Sequence, residues 1–419
     1  MHAKLISNIN LNKICSSTLI LLAFAIPVST AATYIVLGIF LLFWILDNFK
    51  QPLKELTCII KSNPVAMVGC AFFLMHLAGL FHTHANQEKI LEAIQNGSKF
   101  LFMAMAMIYL KEEKNARAVL ISFIGAMGLT LVLSYLIHIS IVPGFIPVKG
   151  IPRDCYVFHD HIKHNTLMAF TVFVAAVLAR SAKTLKARIP WAVFSCLALI
   201  NVLFMVNGRT GHLIILVLLM YYFFSWGSRR KSIAAFFMTC LCIGLLSWTY
   251  PSNSLSTRAR AVVNEIKTWK YGEPQPMGSS SGLRLEFYTN SLKLIKKSPF
   301  IGTGTGSFQA SYRELIKDTG FKQSDNPHNE FLMAGVQFGL MGILVLLSFF
   351  FTQWRSAASL QKDEGILLAR GLILTIMTAC MVASPLQDSA EGWFFALMSA
   401  TLFASQSQTR TFPEPYPST

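Results

Sequence analysis

The sequence predicts an all-α protein that crosses a membrane about twelve times. Of its 419 residues, 53% are hydrophobic and 13% are charged, and they include 33 Phe and 17 Met. Soluble domains carry about 25% charged residues, so this composition excludes an ordinary soluble protein. Apolar runs recur along nearly the whole chain, and several approach the roughly 20 residues that a helix needs to cross a bilayer.

Twelve apolar segments are the predicted membrane helices. They cover residues 15–30, 31–46, 64–81, 99–110, 118–140, 165–179, 190–206, 211–226, 232–250, 331–354, 366–385 and 392–405. Only Pro27 to Thr30 separates the first two, so residues 15–46 are also compatible with a different count. The shortest, 99–110, needs its flanking residues to cross the membrane.

Lys and Arg are distributed unequally among the connecting segments, which predicts the orientation. With the N-terminus in the cytoplasm, seven connecting segments lie on the cytoplasmic side and carry 18 Lys and Arg, whereas the short outer loops carry far fewer. Cytoplasmic loops are normally the basic ones, so the asymmetry supports this orientation. The formal charge of +16 then reflects topology and contact with membrane lipids, and we expect no nucleic-acid partner.

The predicted topology divides the chain into four parts. Residues 1–250 hold nine membrane helices, 251–330 form one large periplasmic segment, 331–405 hold three more membrane helices, and 406–419 are a cytoplasmic tail. The periplasmic segment is basic, with 11 Lys and Arg against 7 Asp and Glu. It is the only extramembrane part large enough to carry much of an active site.

Three helices are predicted within the large segment. Helical spacing of apolar residues indicates an amphipathic helix at 255–270 along the membrane surface and a third helix at 307–318. The second helix begins after the three serines at 279–281 and has Leu285, Tyr288, Leu292 and Ile295 on one face. GTGTG at 302–306 is a weak dinucleotide motif because no alternating strands and helices surround it, so it predicts a tight turn whose backbone approaches another segment closely.

Two arginines are predicted at the level of the lipid headgroups. Arg209 lies in NGRTG, the short connection between two membrane helices, which holds its guanidinium near the surface. Arg284 is expected in the first helical turn, about three residues after a Ser N-cap, where a cation opposes the helix dipole unless an anion shares the site. Each alone is equally explained as an ordinary interfacial or solvated side chain.

His328 and Asn329 lie in DNPHNEF (325–331), where the polar segment meets an apolar helix. A histidine at the water boundary is suited to accept a proton from a sugar hydroxyl, although a capping role is the alternative. Asp388, in the last outer loop, is predicted to orient His328 or an arginine unless it is an ordinary solvated acid.

The outer loop FHDHIKHN (158–165) adds further candidates. Its His-x-His spacing beside Asp160 is compatible with zinc, but no Cys or second strong motif supports a metal site, so we expect none. His164 and Arg153 are instead predicted to help line a substrate cavity. The sequence has no nucleotide-binding loop and no nucleophile elbow, so we expect no cofactor.

Four stretches together resemble a known family. They are NGRTGHL (207–213), SGLRLEFY (281–288), KSPFIGTGTGSF (297–308) and NPHNEFLMAGVQFGLMGIL (326–344). In this order and topology they resemble the O-antigen ligase family, whose superfamily also holds O-antigen polymerases and some protein O-oligosaccharyltransferases. Its fold is similar to that of other membrane glycosyltransferases of the GT-C-like type, which use lipid-linked donors.

The resemblance carries roles onto individual residues. The family's functional arginines fall on Arg209 and Arg284, its histidine on His328 and, more loosely, its late acidic residue on Asp388. It implies transfer of a glycan from undecaprenyl diphosphate to the lipid A-core oligosaccharide, at the periplasmic face of a Gram-negative inner membrane. Both arginines would bind the donor diphosphate, and His328 would accept a proton or orient the acceptor in a metal-independent, inverting transfer.

Other functions remain open at this point. The polymerase and the protein-glycosylating enzymes share the same motifs, so sequence separates them poorly from a ligase. A lipid-linked glycan transporter or flippase belongs to a different class and would carry intramembrane charges along a pathway and inverted repeats. The sequence shows few such charges, with Arg370 the main candidate, and no repeat.

Overall fold

The computed structural model describes residues 10–49, 53–142, 144, 146–225, 229–249, 254–275 and 279–408. These residues form sixteen α-helices and no β-strand. In chain order, α1 to α16 are Leu11–Val28, Thr30–Asp47, Lys54–Ser62, Pro64–Ala78, Gln87–Tyr109, Glu113–His138, His161–Ser181, Leu185–Ile200, Arg209–Phe224, Arg229–Thr249, Ser254–Thr268, Ser280–Lys297, Phe308–Leu315, Glu330–Ala357, Asp363–Val382 and Ser389–Phe403. Most of the predicted tail, 409–419, lies outside the described residues.

Each of the twelve predicted membrane segments coincides with a helix. Within the described residues, nine helices are long and apolar enough to cross a membrane: α1, α2, α4, α6, α7, α8, α10, α14 and α15, of which α4 and α8 count with their short helical extensions. Helix α9 is apolar but has only 16 residues. Helices α5 and α16 do not meet the combined criterion of length and hydropathy. A multi-pass helical membrane protein is therefore confirmed, while the number twelve stays a prediction.

The C-terminal helix α16 is surrounded by other helices, which explains why so short a helix is apolar on all sides. Phe394 and Phe395 are fully buried. The ring of Phe394 lies 5.0 Å from that of Phe123 and 5.4 Å from that of Phe170, and the ring of Phe395 lies 5.8 Å from that of Phe349. Aromatic pairs at these distances contribute beyond their buried area, so α16 joins the N-terminal and C-terminal helices into one core.

Helix α14 is broken at Gly339, where φ is 63° and ψ is −153°. A break leaves backbone groups without partners in the helix, which costs several kcal/mol per group in hydrocarbon. Segment 299–304 pairs with these groups from outside the helix. Four backbone hydrogen bonds, donor first, join the two segments: Thr303 to Val336 (2.9 Å), Gly304 to Gln337 (2.8 Å), Leu340 to Pro299 (2.7 Å) and Met341 to Phe300 (3.4 Å).

Three glycines in GTGTG permit this close contact. Gly302, Gly304 and Gly306 have φ values of 67°, 95° and 74°, in the region that favours glycine. A Cβ added to Gly304 would lie 2.5 Å from the Cα of Thr83. The predicted tight turn is thus confirmed, and its neighbours are the broken helix α14 and the segment that follows α4.

The segment that was predicted to be periplasmic contains the three predicted helices, α11, α12 and α13. Ser279 caps α12, and its hydroxyl oxygen accepts the N–H of Gly282 at 3.2 Å. The predicted apolar face of α12 is correct only in part: Ile295 packs against the buried cluster, but Leu292 is 51% exposed. Leu283 and Leu294, which the prediction did not include, are buried. The buried stripe is the one against which α13 and the first half of α14 pack.

Replacing Gly304 with alanine is expected to destabilise the protein. The positive φ costs about 1–2 kcal/mol for a residue with a Cβ, and the clash with the Thr83 backbone adds to it. The measurement is the thermal unfolding temperature in detergent. Gly125→Ala on α6 is the matched control, since nothing lies within 4 Å of its added Cβ. Equal unfolding temperatures for the two variants would contradict this account of the turn.

Candidate active site

A cavity of about 600 Å³ opens between α12, α13, the start of α7 and the segment before α14. Its charged and polar lining includes two of the residues that the sequence singled out, Arg284 and His328. The other titratable residues in the lining are His161, Arg313, Lys322 and Asp325. The cavity therefore combines three fixed cations, one carboxylate and two imidazoles at the edge of the helix bundle.

Arg284 is the half-buried cation of this cavity. It is the fifth residue after the Ser279 cap, in the second turn of α12, and not in the first turn as expected, because Ser280 and Ser281 are both helical. Among the described residues no side chain or carbonyl forms a hydrogen bond or ion pair with its guanidinium. Burial, and then the neighbouring charge of Arg209, lowers its pKa. An unpaired cation that is partly removed from water favours binding of an anion.

The backbone around His328 is held in an unusual conformation. His328 has φ of 54°, and its N–H donates to the side-chain oxygen of Asn326 at 2.7 Å. The hydroxyl of Tyr288 donates to the carbonyl of His328 at 3.1 Å. The imidazole stacks on the ring of Phe287, with centroids 5.9 Å apart. A strained residue held from several sides is a frequent feature of functional sites.

The protonation state of His328 follows from its surroundings. Burial is the largest cause that lowers its pKa below the ordinary 6.5, and the cation of Arg284 lowers it further. Asp325 acts in the opposite direction, and Lys322 adds a smaller lowering effect. The imidazole is therefore neutral near pH 7, which is the form that accepts a proton.

Arg209 lies outside this cavity and is already paired. It begins α9, and its guanidinium forms a two-pronged ion pair with Glu265 of α11, with N–O distances of 3.0 and 2.8 Å. It also donates to the hydroxyl of Ser281. The hydrogen bond from Arg209 is the main cause that lowers the pKa of Glu265 to about 2. Arg209 instead lines an apolar groove between α9, α10 and α11.

Asp388 and Asn329 cap helices. Asp388 accepts the N–H of Ala390 at 2.7 Å and pairs with Lys163 of α7 at 2.8 Å, so its carboxylate contacts Lys163 and neither His328 nor an arginine. Asn329 accepts the N–H of Leu332 at 3.0 Å at the start of α14. Both residues fix elements that border the cavity.

Arg153 and His164 do not line the cavity. Arg153 is exposed, and His164 is 3% exposed, with Nε2 3.0 Å from the side-chain oxygen of Asn201. His161, one helical turn earlier, lines the cavity in their place. Asp160 caps α7 by accepting the N–H of Ile162 at 3.0 Å, and this cap directs the first turn of the helix.

The histidines of that loop point to different partners. His159 Nε2 lies 2.9 Å from the carbonyl of Ile26, and His161 packs against Tyr156 with ring centroids 6.2 Å apart. No group of three or more His, Cys, Asp or Glu in the described part of the chain is arranged to hold a metal ion.

Several cavity or site residues were missed from the sequence. Arg313 and Lys322 line the cavity, and Glu265 pairs with Arg209. In the sequence they are ordinary charged residues of amphipathic helices and loops. A usable signal was the polar face of the predicted helix at 255–270, on which Glu265 is the lone acidic residue among Arg and Lys.

The region that builds the site has a family match. Residues 194–347 match the family model described as O-antigen ligase. This span contains the four stretches named above, and the match supports the resemblance to the O-antigen ligase family. The matched span runs from α8 into α14 and contains Arg209, Arg284 and His328, whereas Asp388 lies outside it. No curated protein matches the chain.

Tyr288→Phe is expected to loosen the segment that carries His328. The single hydroxyl hydrogen is shared between the carbonyls of His328 and Met381, both 3.1 Å from the hydroxyl oxygen, and such a bond contributes about 0.5–1.5 kcal/mol. Faster amide hydrogen exchange at residues 322–332 is the readout. Tyr271→Phe serves as the control, because Tyr271 is 71% exposed. Unchanged exchange at residues 322–332 in Tyr288→Phe would argue against this role.

Proposed function

We propose that this protein is an O-antigen ligase. It transfers a glycan from undecaprenyl diphosphate to the lipid A-core oligosaccharide at the periplasmic face of a Gram-negative inner membrane. One observation carries the proposal: the same cavity is lined by the guanidinium of Arg284, which has no ion-pair partner among the described residues, and by the imidazole of His328, whose surroundings keep it neutral. The reaction needs a cation for the diphosphate leaving group and a base for the acceptor hydroxyl.

The cation is needed by the leaving group, which is the diphosphate of the donor. As the bond between the anomeric carbon and the diphosphate oxygen breaks, its electron pair stays on the undecaprenyl diphosphate, and negative charge increases there. Arg284 binds these oxygens in a bidentate manner and stabilises that charge, with Arg209 as the second donor-binding cation on the neighbouring α9. The guanidinium groups supply the positive charge, so we propose a transfer that needs no metal.

The base is needed by the acceptor hydroxyl. A hydroxyl oxygen of the lipid A core forms a bond to the anomeric carbon from the face opposite the diphosphate, so the configuration inverts. The imidazole of His328 takes the hydroxyl proton, while its stacking on Phe287 and the bonds to its backbone keep its position. The donor already stores the energy of the bond, so no nucleotide is required.

The remaining predicted residues do not contact the substrates in this proposal. Asn329 caps the helix that follows His328, and Asp388 holds Lys163 beside the start of α7, which carries His161 into the cavity. Arg153 and His164 make no contact with the cavity, and we give them no direct part in the transfer. Membrane lipids complete the surroundings of the donor's polyprenyl chain.

The related functions differ in what their loss leaves behind. Loss of a ligase leaves polymer on undecaprenyl diphosphate together with bare core, whereas loss of a polymerase leaves core that carries one repeat. Loss of a protein-glycosylating relative removes a glycoprotein and leaves lipopolysaccharide unchanged. Loss of a flippase leaves the lipid-linked glycan on the cytoplasmic side. A lipopolysaccharide gel after gene deletion, read with a glycoprotein stain, separates these cases.

Arg284→Ala and His328→Ala are each expected to reduce transfer by purified protein with a lipid-linked donor. Loss of a preorganised donor that stabilises developing charge costs about 10²–10³ in rate, and loss of a general base costs about 10²–10⁴. Lys296→Ala on the same helix and His84→Ala, both at exposed positions, are the matched controls. Full transfer by both active-site variants would refute the proposed site.

The pH dependence of kcat/KM reports on His328. The surroundings of His328 lower its pKa below 6.5, so the neutral base is fully present above that value. Transfer is therefore expected to be constant above about pH 7 and to fall as the pH drops through the lowered pKa. A profile whose acidic limb has its midpoint above pH 6.5 would contradict the assignment of His328 as the base.

A further inference from the structure

Glu265 occupies the anion-binding face of Arg209. Its two carboxylate oxygens lie 2.8 and 3.0 Å from the terminal guanidinium nitrogens, and one of them also accepts the backbone N–H of Ser281 at 2.6 Å. Both side chains are largely buried, with 16% of Arg209 and 14% of Glu265 exposed. The carboxylate is thus bound by a guanidinium and a backbone N–H at the start of α12.

This arrangement conflicts with the position of the other proposed donor-binding cation. Arg284 lies on the same helix as Ser281, one turn further along, and lines the cavity that also holds His328. Arg209 uses three of its five N–H donors on Glu265 and Ser281. The N–H groups of Arg209 that now bind Glu265 become available to a diphosphate beside Arg284 only if Arg209 gives up this contact.

We propose that Glu265 is an internal counter-ion that competes with the donor diphosphate for Arg209 and is displaced when the donor binds. This inference rests on the proposed function. A diphosphate carries about two negative charges against one on the carboxylate, so it can displace Glu265 from the guanidinium. When the product undecaprenyl diphosphate leaves, Glu265 returns to Arg209, which favours product release. Glu265 is in this sense a positioning residue that sets donor affinity.

Helix α11, which carries Glu265, is suited to such a movement. Among its residues only Ser254 is fully buried, so little packing opposes a shift of the helix. Its apolar residues Leu255, Ala259 and Val262 cover the groove that Arg209 also lines. Release of the ion pair therefore frees one end of the helix without opening the core of the bundle.

The test is Glu265→Gln in the full-length purified chain, with Glu273→Gln as the matched control. Both variants remove one negative charge from the same segment, but Glu273 is exposed and pairs with Lys270. For Glu265→Gln we expect the KM for the lipid-linked donor to fall about 10- to 100-fold, the size of one charge-assisted contact. We expect no rise in kcat, because product release slows. The control is expected to keep both constants.

Whether the donor KM of Glu265→Gln falls or rises decides the proposal. If Glu265 were a permanent partner that aims Arg209 at the donor, Glu265→Gln would raise the donor KM, and that result would overturn the inference. An unchanged KM would overturn it as well. If Glu265→Gln fails to fold, Glu265→Asp keeps the charge but shortens its reach, and the same fall in KM is expected on a smaller scale.

Binding of inorganic diphosphate separates this inference from the proposed function. If the function is right, the wild-type chain binds diphosphate and Arg284→Ala loses most of that affinity, while Glu265→Gln binds more tightly. Weaker binding in Arg284→Ala together with wild-type affinity in Glu265→Gln would reject the inference alone. Absence of both diphosphate binding and transfer in the wild-type chain would reject the function and the inference with it.

Discussion

The site depends on how the break in α14 is satisfied. The backbone groups freed around Gly339 pair with segment 299–304, which directly follows α12. Because α12 carries Arg284 and the start of α14 follows His328, this one set of backbone hydrogen bonds fixes the separation of the two residues. Thr305 extends the contact to the N-terminal helices by donating its hydroxyl to the carbonyl of His76. Residues 299–305 are therefore joined to the bundle by backbone hydrogen bonds and do not form a loosely tethered loop.

Local electrostatics gives the two arginines different states. Arg209 is neutralised by Glu265, whereas Arg284 is half-buried and has no ion-pair partner in the described part of the chain. Arg284 also acts on the neighbouring His328, because its charge helps to keep that imidazole neutral. A single unpaired guanidinium thus serves two purposes, because the charge that attracts an anion is the charge that keeps the base unprotonated.

Much of the fold could be predicted from local patterns. Apolar runs located the twelve helices, the serines at 279–281 located the start of α12 to within two residues, and the glycines of GTGTG indicated a close backbone contact. Each of these signals depends on residues that are adjacent in the chain. The buried face of α12 could not be found in this way, since α13 and α14 decide it from outside the helix.

The pairing of charged side chains was the other part that the sequence did not reveal. Arg209 and Glu265 are 56 positions apart, and Asp388 pairs with Lys163 across a still longer separation. No local pattern records which distant acid meets which base. The residues at the motif centres, Arg284 and His328, could be selected, but the state of each, free, paired or neutral, required the three-dimensional arrangement.

The break in α14 also bears on the order in which the protein is made. The segment that satisfies the broken backbone precedes α14 in the chain, and the carbonyls of His76 and Gly79, which anchor that segment, precede both. Because synthesis starts at the N-terminus, each hydrogen-bonding partner is made before the backbone group with which it pairs. An irregular membrane helix can enter the bilayer at low cost because its complement is already in place.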